Sequence, residues 1–185
     1  MEQECEITRL LERARDGDSR QLTAVFEALY PELHRIAVAR VGGGDRTVTP
    51  TVLVNELYLR LASGGLPELA DRRHFFVAAA QAMRWILVDH ARRAHAGKRG
   101  GGLAAVTLEE DLAGGIGDAD TRILALHEGL EALEQIDPQR RQVVELRYFV
   151  GLGFAEIAGL LGCSERTAKR EWERARAFLH SMLLR

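Results

Sequence analysis

The sequence predicts an all-α protein: two small helical domains joined by a flexible acidic linker, the second a helix-turn-helix domain. Three observations carry this. Ala, Leu, Arg and Glu dominate, β-branched residues are sparse and only four prolines occur in 185 residues, a composition that favours helix. Apolar residues recur at intervals of three and four along most of the chain. One glycine-rich, acidic stretch interrupts that rhythm.

The elements follow in order. Ile7, Leu10, Leu11 and Ala14 fall at helical spacing, and Asp16-Gly17-Asp18 closes that element. Leu22, Val25, Phe26, Leu29, Leu33, Ile36 and Ala37 form a second stripe, inside which Pro31 is expected to kink or break the helix. Gly42-Gly43-Gly44-Asp45 ends it. A third helix begins at Thr49-Pro50-Thr51, with Thr49 as N-cap and Pro50 as first helical residue. Leu53, Val54, Leu57, Tyr58 and Leu61 make its apolar side, and Ser63-Gly64-Gly65 closes it. A longer helix runs from about Arg73 to Ala96.

Residues 1–96 thus form the first domain and 97–121 the linker. The linker opens with Gly97-Lys98-Arg99 and three glycines, then carries Glu109, Glu110, Asp111, Asp118 and Asp120 with no cation between Leu103 and Thr121. The second domain spans 122–185. Its first stripe is Ile123, Leu126, Leu130 and Leu133, up to Ile136. Asp137-Pro138 starts a helix through Val143, Val144, Leu146 and Tyr148, which Gly151-Leu152-Gly153 ends.

Composition removes several function classes. Apolar residues make up 46% and charged residues 28%, as in soluble globular proteins. The net charge is −2, so nucleic-acid contact has to come from local patches. Cys5 and Cys163 lie far apart, which fits neither a disulfide framework nor a zinc knuckle and agrees with a reducing, cytoplasmic location. No apolar run reaches the roughly 18 residues of a membrane span; Phe75 to Val88 comes nearest and contains Gln81 and Arg84. The first residues are acidic where a secretory signal is basic. No Walker loop, His-Glu-x-x-His or defensible Ser/His/Asp order is present, so no enzyme, cofactor or metal is expected. Asp89, His90 and His95 read as a solvated helix face, and Cys163 as a small buried turn residue.

Residues 154–179 carry the most information. Ile157, Ala158 and Leu161 define a short helix, Gly162-Cys163 a turn, and Ser164 the N-cap of a second helix. The buried side of that helix is Thr167 or Ala168, Trp172, Ala175 and Leu179. In a helix-turn-helix the start of the second helix enters the major groove, here with Glu165, Arg166, Thr167, Lys169 and Arg170. Arginine reads guanine edges, while lysine and threonine suit bases or phosphates. Arg174 and Arg176 extend the positive surface. An ordinary helical hairpin with a charged face is the plainer reading of the same spacing.

A second cationic group, Arg84, Arg92, Arg93, Lys98 and Arg99, stands against one acid, Asp89, with Phe75, Phe76 and Trp85 interleaved upstream. Aromatics beside such a helix can stack on unpaired bases while the cations track the backbone. They can equally be core, with solvated arginines around them.

The combination resembles a bacterial sigma factor of the small, two-domain extracytoplasmic-function type, over nearly the whole chain. The strongest piece is Phe154 to Leu179 behind Leu130, Leu133, Asp137 to Arg141 and Leu146-Arg147-Tyr148; the second is Leu53 to Leu59. The resemblance implies that the helix with Asn55, Glu56 and Arg60 docks on the clamp helices of the largest subunit of core RNA polymerase. It implies that Arg84 to Arg93 matches the helix that melts the minus-ten promoter element. The helix-turn-helix would read the minus-thirty-five element, and the linker acids would mimic RNA in the polymerase cleft. An anti-sigma factor is a further partner that it allows.

One departure has a consequence for regulation. Members of that family usually carry an acidic run before the docking helix, where this chain has Thr49-Pro50-Thr51-Val52. A phosphothreonine brings about −1.5 to −2 charges near neutral pH, roughly what is missing. A Ser/Thr protein kinase acting at Thr51, or at Thr49, is therefore expected to switch the factor on, with Thr51 ahead because Thr49 is occupied in capping. Lys169-Arg170-Glu171-Trp172 also departs from the commoner Lys-Ser-Arg form and is similar to a subgroup with Trp at that place. Two competing readings stay open: an autonomous helix-turn-helix regulator that binds duplex DNA without polymerase, and a helical adaptor that binds only proteins.

Overall fold

The computed structural model describes residues 7, 9–11, 19–41, 48–63, 71–97 and 119–183. Among these residues there are seven complete helices and no strand. They are α1 (Ser19–Val41), α2 (Pro50–Ser63), α3 (Arg72–Gly97), α4 (Ala119–Ile136), α5 (Pro138–Tyr148), α6 (Phe154–Leu161) and α7 (Glu165–Leu183). Lys98, Arg99 and the linker acids from Glu109 to Asp118 lie outside the described residues. The chain divides into two compact units, Met1–Ile86 and Leu87–Arg185, with the division inside α3.

In the first unit α1 packs along α2. Every apolar residue of the α1 stripe is buried, from Leu22 to Ala37, as are Leu53, Val54 and Leu57 of α2. Phe26 meets Tyr58 of α2 edge-on at 5.1 Å and Phe75 of α3 at 5.7 Å, so one ring joins three helices. The expected break at Pro31 does not occur: α1 runs unbroken through it. Proline forfeits one helical hydrogen bond, but Leu29, Leu33, Ile36 and Ala37 on either side are buried and hold both segments against the core.

Helix starts follow from their capping residues. The Val52 amide donates to Thr49 Oγ1 at 3.2 Å and the Leu53 amide to the Thr49 carbonyl at 2.9 Å, as the sequence predicts for an N-cap before Pro50. Asp71 caps α3, accepting from the His74 amide at 2.9 Å. Asp137 caps α5 through the Arg140 amide at 3.0 Å, with Pro138 in the first turn.

In the second unit α7 packs on α4, α5 and α6. Its core is Ile123, Leu126, Leu130 and Leu133 of α4, Val143, Val144 and Leu146 of α5, Ile157 and Leu161 of α6, and Ala168, Ala175 and Leu179 of α7. Ala168 takes the buried place offered to Thr167 or Ala168, while Trp172 is half-buried. Arg141 bridges α4 and α5, 2.9 Å from Glu134 and 3.7 Å from buried Glu145. Gly162 closes α6 in the left-handed region at φ 65°, which glycine adopts without Cβ strain, and so lets the chain turn into α7 within three residues.

Candidate nucleic-acid and polymerase interface

The start of α7 is organised by Ser164. Its Oγ accepts the Thr167 amide at 3.1 Å and lies 2.8 Å from Thr167 Oγ1, which occupies the Thr167 hydroxyl in the cap. Burying Ala168, Ala175 and Leu179 turns the opposite side of the helix to solvent. Arg166 is exposed there, and the side chains of Lys169, Arg170 and Arg174 are 57, 58 and 55% exposed. The helix therefore presents, within about two and a half turns, the cations expected from the sequence.

Most of these cations carry an internal counter-charge. Lys169 Nζ lies 2.8 Å from Glu165, and Arg176 3.7 Å from Glu173. Arg170 and Arg174 both reach Glu171 Oε1, at 3.2 and 3.0 Å. Arg166 makes no ion pair with any described residue. Glu171 also receives Arg140 of α5 on its other oxygen, at 3.0 Å. Burial pushes the Glu171 carboxyl up, but the hydrogen bonds from Arg140 and Arg170 and the charge of Arg174 outweigh it and hold it below the ordinary glutamate range.

An aromatic group supports the turn side. Arg147 stacks over Phe154 at 4.8 Å and donates to the Leu152 carbonyl at 2.9 Å. Lys169 lies 5.9 Å from the same ring, and Trp172 meets it edge-on at 6.4 Å. This group ties α5 and α6 to the exposed helix.

Glu171, Arg140, Arg147 and Phe154 were not expected as parts of this surface. The local signal for Glu171 was its spacing, one residue from Arg170 and three from Arg174. Nothing local pointed to Arg140, which lies 31 residues away.

On α3, Arg92 and Arg93 are exposed as expected. Arg84 is not: its side chain is buried at 2% exposure, with the guanidinium 5.2 Å from the Trp85 ring centre. The expectation of Arg84 as a surface cation is corrected. The reason is helical spacing, since Ala80, Leu87 and Val88 at i−4, i+3 and i+4 are all buried. Phe75 and Phe76 are likewise core, at 0 and 1% exposure, which removes them as stacking platforms in this conformation. Trp85 is half-buried.

On α2, Thr51 is exposed in the first turn, and that turn holds no acidic residue. Thr49 Oγ1, by contrast, accepts the Val52 amide. Asn55 and Arg60 are exposed and Glu56 half-buried. Beside them lies an open, mainly apolar groove of about 440 Å³, lined by Thr23, Phe26, Glu27 and Tyr30 of α1 and Val54, Asn55 and Tyr58 of α2. Among its lining residues, Thr23 Oγ1 and the Tyr58 hydroxyl lie 3.1 Å apart and join α1 to α2. Asn55 and Tyr58 lie four and seven residues beyond Thr51, so all three share one helix face.

Among the described residues no helix is long and apolar enough to cross a membrane, and no group of His, Cys, Asp or Glu could hold a metal ion. A family model described as ECF sigma factor matches residues 4–184. No curated protein matches the chain.

Proposed function

The chain belongs to the ECF sigma factor family, whose members are non-enzymatic factors that act with RNA polymerase in promoter-specific initiation, and we propose how this one divides that work. Residues 1–96 dock on core polymerase and hold the minus-ten element. Residues 97–121 link the halves, and residues 122–185 read the minus-thirty-five element. The chain acts in the cytoplasm, where polymerase and promoter DNA meet.

The observation that carries this reading is the α7 surface. A buried apolar face fixes the helix, and Arg166, Lys169, Arg170 and Arg174 leave it towards solvent. Arginines at the start of such a helix suit guanine edges, and Lys169 suits a phosphate. Thr167 supports the geometry from the cap, its hydroxyl engaged with Ser164 Oγ at 2.8 Å. Arg92, Arg93, Lys98 and Arg99 track the separated strand.

Docking goes through α2, with Asn55, Glu56 and Arg60 facing the polymerase clamp helices and the groove beside Tyr30 and Tyr58 taking an apolar side chain. Phosphorylation of Thr51 by a Ser/Thr kinase supplies the negative charge that the first turn of α2 lacks. Three features support this: the absent acids, the exposure of Thr51 and the engagement of Thr49 in the cap. Negative charge at that position also meets the positive end of the helix dipole.

The test is core polymerase binding by the unmodified chain, a kinase-treated sample and Thr51→Glu. Binding that strengthens on modification supports the switch. Equally tight binding by the unmodified chain keeps the sigma-factor reading and removes the switch. No binding in any form favours an autonomous DNA-binding regulator.

A further inference from the structure

Glu171 stands where arginines of two kinds converge. Its Oε2 accepts from Arg140 Nε at 3.0 Å, and its Oε1 from Arg170 Nε at 3.2 Å and Arg174 Nη1 at 3.0 Å. Arg140 is gripped from its other side by Asp137 Oδ2 at 3.0 Å, the residue that caps α5. The side chains of Glu171 and Arg140 are only 14 and 19% exposed. Arg170 and Arg174 are more than half exposed. The network thus has a half fixed to α5 and a half that belongs to the DNA-facing surface.

A long arginine loses rotamer freedom when it binds, and less is lost if its fork is already oriented. A carboxylate on this surface also has a cost, because it repels phosphates. We propose that Glu171 is a positioning residue for promoter discrimination: anchored by Arg140, it holds Arg170 and Arg174 in the orientation in which they meet base edges, without itself touching DNA. This rests on the reading of α7 as the helix that enters the groove.

The two effects of removing Glu171 have opposite signs. Loss of a negative charge strengthens attraction to any duplex. Loss of orientation weakens discrimination between duplexes. A purely structural role would lower both, and a purely electrostatic one would raise both alike.

The experiment uses the full chain assembled with core polymerase. Upstream duplex sequences are selected from a random library, and affinity for a random-sequence duplex is measured against salt concentration. The variants are Glu171→Gln, Glu171→Asp, Arg140→Gln, Arg170→Ala and Arg174→Ala. Arg170→Ala or Arg174→Ala relaxes the selection at particular base pairs. Glu171→Gln relaxes the same base pairs by roughly three- to tenfold, a fraction of a full base contact, and binds random duplex at least as tightly as the wild type. Glu171→Asp restores part of the discrimination, and Arg140→Gln relaxes the same pairs with Glu171 still present.

The positioning role is overturned if Glu171→Gln keeps wild-type discrimination, or loses specific and random affinity together. If Glu171→Gln fails to fold, Arg140→Gln is judged by the same two outcomes, and failure of both to fold makes the network structural. If Arg170→Ala and Arg174→Ala leave selection unchanged, the reading of α7 itself fails and this role falls with it.

Discussion

Thr49 and Thr51 stand two residues apart at the start of α2, and different effects are expected of their substitution. Thr49 Oγ1 accepts the Val52 amide at 3.2 Å. Thr49→Ala leaves that amide without its cap, which costs about 1 kcal/mol and lowers the melting temperature by roughly 2–4 °C for a chain of this length. Thr51 is exposed, and no hydrogen bond from its side chain holds the helix start. Thr51→Ala replaces a β-branched residue by the best helix former, which gains up to about 0.7 kcal/mol.

Function is expected to follow the other residue. A phosphate of about two charges at Thr51, some 5 Å from a cation of the polymerase, gains roughly 1.7 kcal/mol in water. Screening over a Debye length of about 8 Å reduces this to about 1 kcal/mol, near fivefold in affinity. Low salt returns it towards about fifteenfold. The assay is thermal melting of both variants, with anisotropy titrations of kinase-treated chain onto core polymerase at two salt concentrations. Thr49→Ala melts earlier and keeps the modification-dependent gain; Thr51→Ala melts at or above the wild type and loses it. A gain that disappears with Thr49 and survives without Thr51 would refute the assignment, and a gain lost with neither would refute the switch.

Other expectations follow from single contacts. Arg166 is exposed and makes no ion pair with any described residue, so Arg166→Ala should cost about 1–3 kcal/mol in promoter affinity if it reads a base, with an unchanged melting temperature; filter binding by the holoenzyme checks it. Gly129 of α4 lies beneath buried Leu179, whose Cδ2 would sit 2.5 Å from an added Cβ. Gly129→Ala gains about 1 kcal/mol of helix propensity but overpacks the α4–α7 contact at a cost of about 1–3 kcal/mol, so urea unfolding should show a net loss. The Glu171 carboxyl is held below its ordinary range in the folded chain. Its contribution to stability is therefore complete above the unfolded value of about 4.3 and is lost as pH falls below it through the folded value. Glu171→Gln should flatten the acid limb of a stability-versus-pH curve, and an unchanged limb would contradict the network.

Much of the fold was legible because helices announce themselves locally. The stripe from Leu22 to Ala37 and the series Ile123, Leu126, Leu130 and Leu133 are buried throughout, since a 3.6-residue period places them on one face. The caps at Thr49 and Ser164, and the helix start at Asp137, were legible for the same reason: donor and acceptor lie within three residues. Pro31 does not break its helix because burial on both sides meets the local penalty it carries, a tertiary effect. Arg84 departs from what its charge suggests because helical periodicity puts it on the buried face with Ala80, Leu87 and Val88. The exposed cations of α7 could be read from a helical wheel. The network behind them could not, because Arg140 reaches Glu171 across 31 residues of chain.

This chain is expected to select promoters as part of RNA polymerase. Footprinting a promoter obtained by selection, with the chain alone, with core polymerase alone and with both, tests it most directly. Protection across both promoter elements, with a melted minus-ten region, that appears only when chain and core are combined is the predicted result. Equal protection of duplex DNA by the chain alone, unchanged by polymerase, would contradict it.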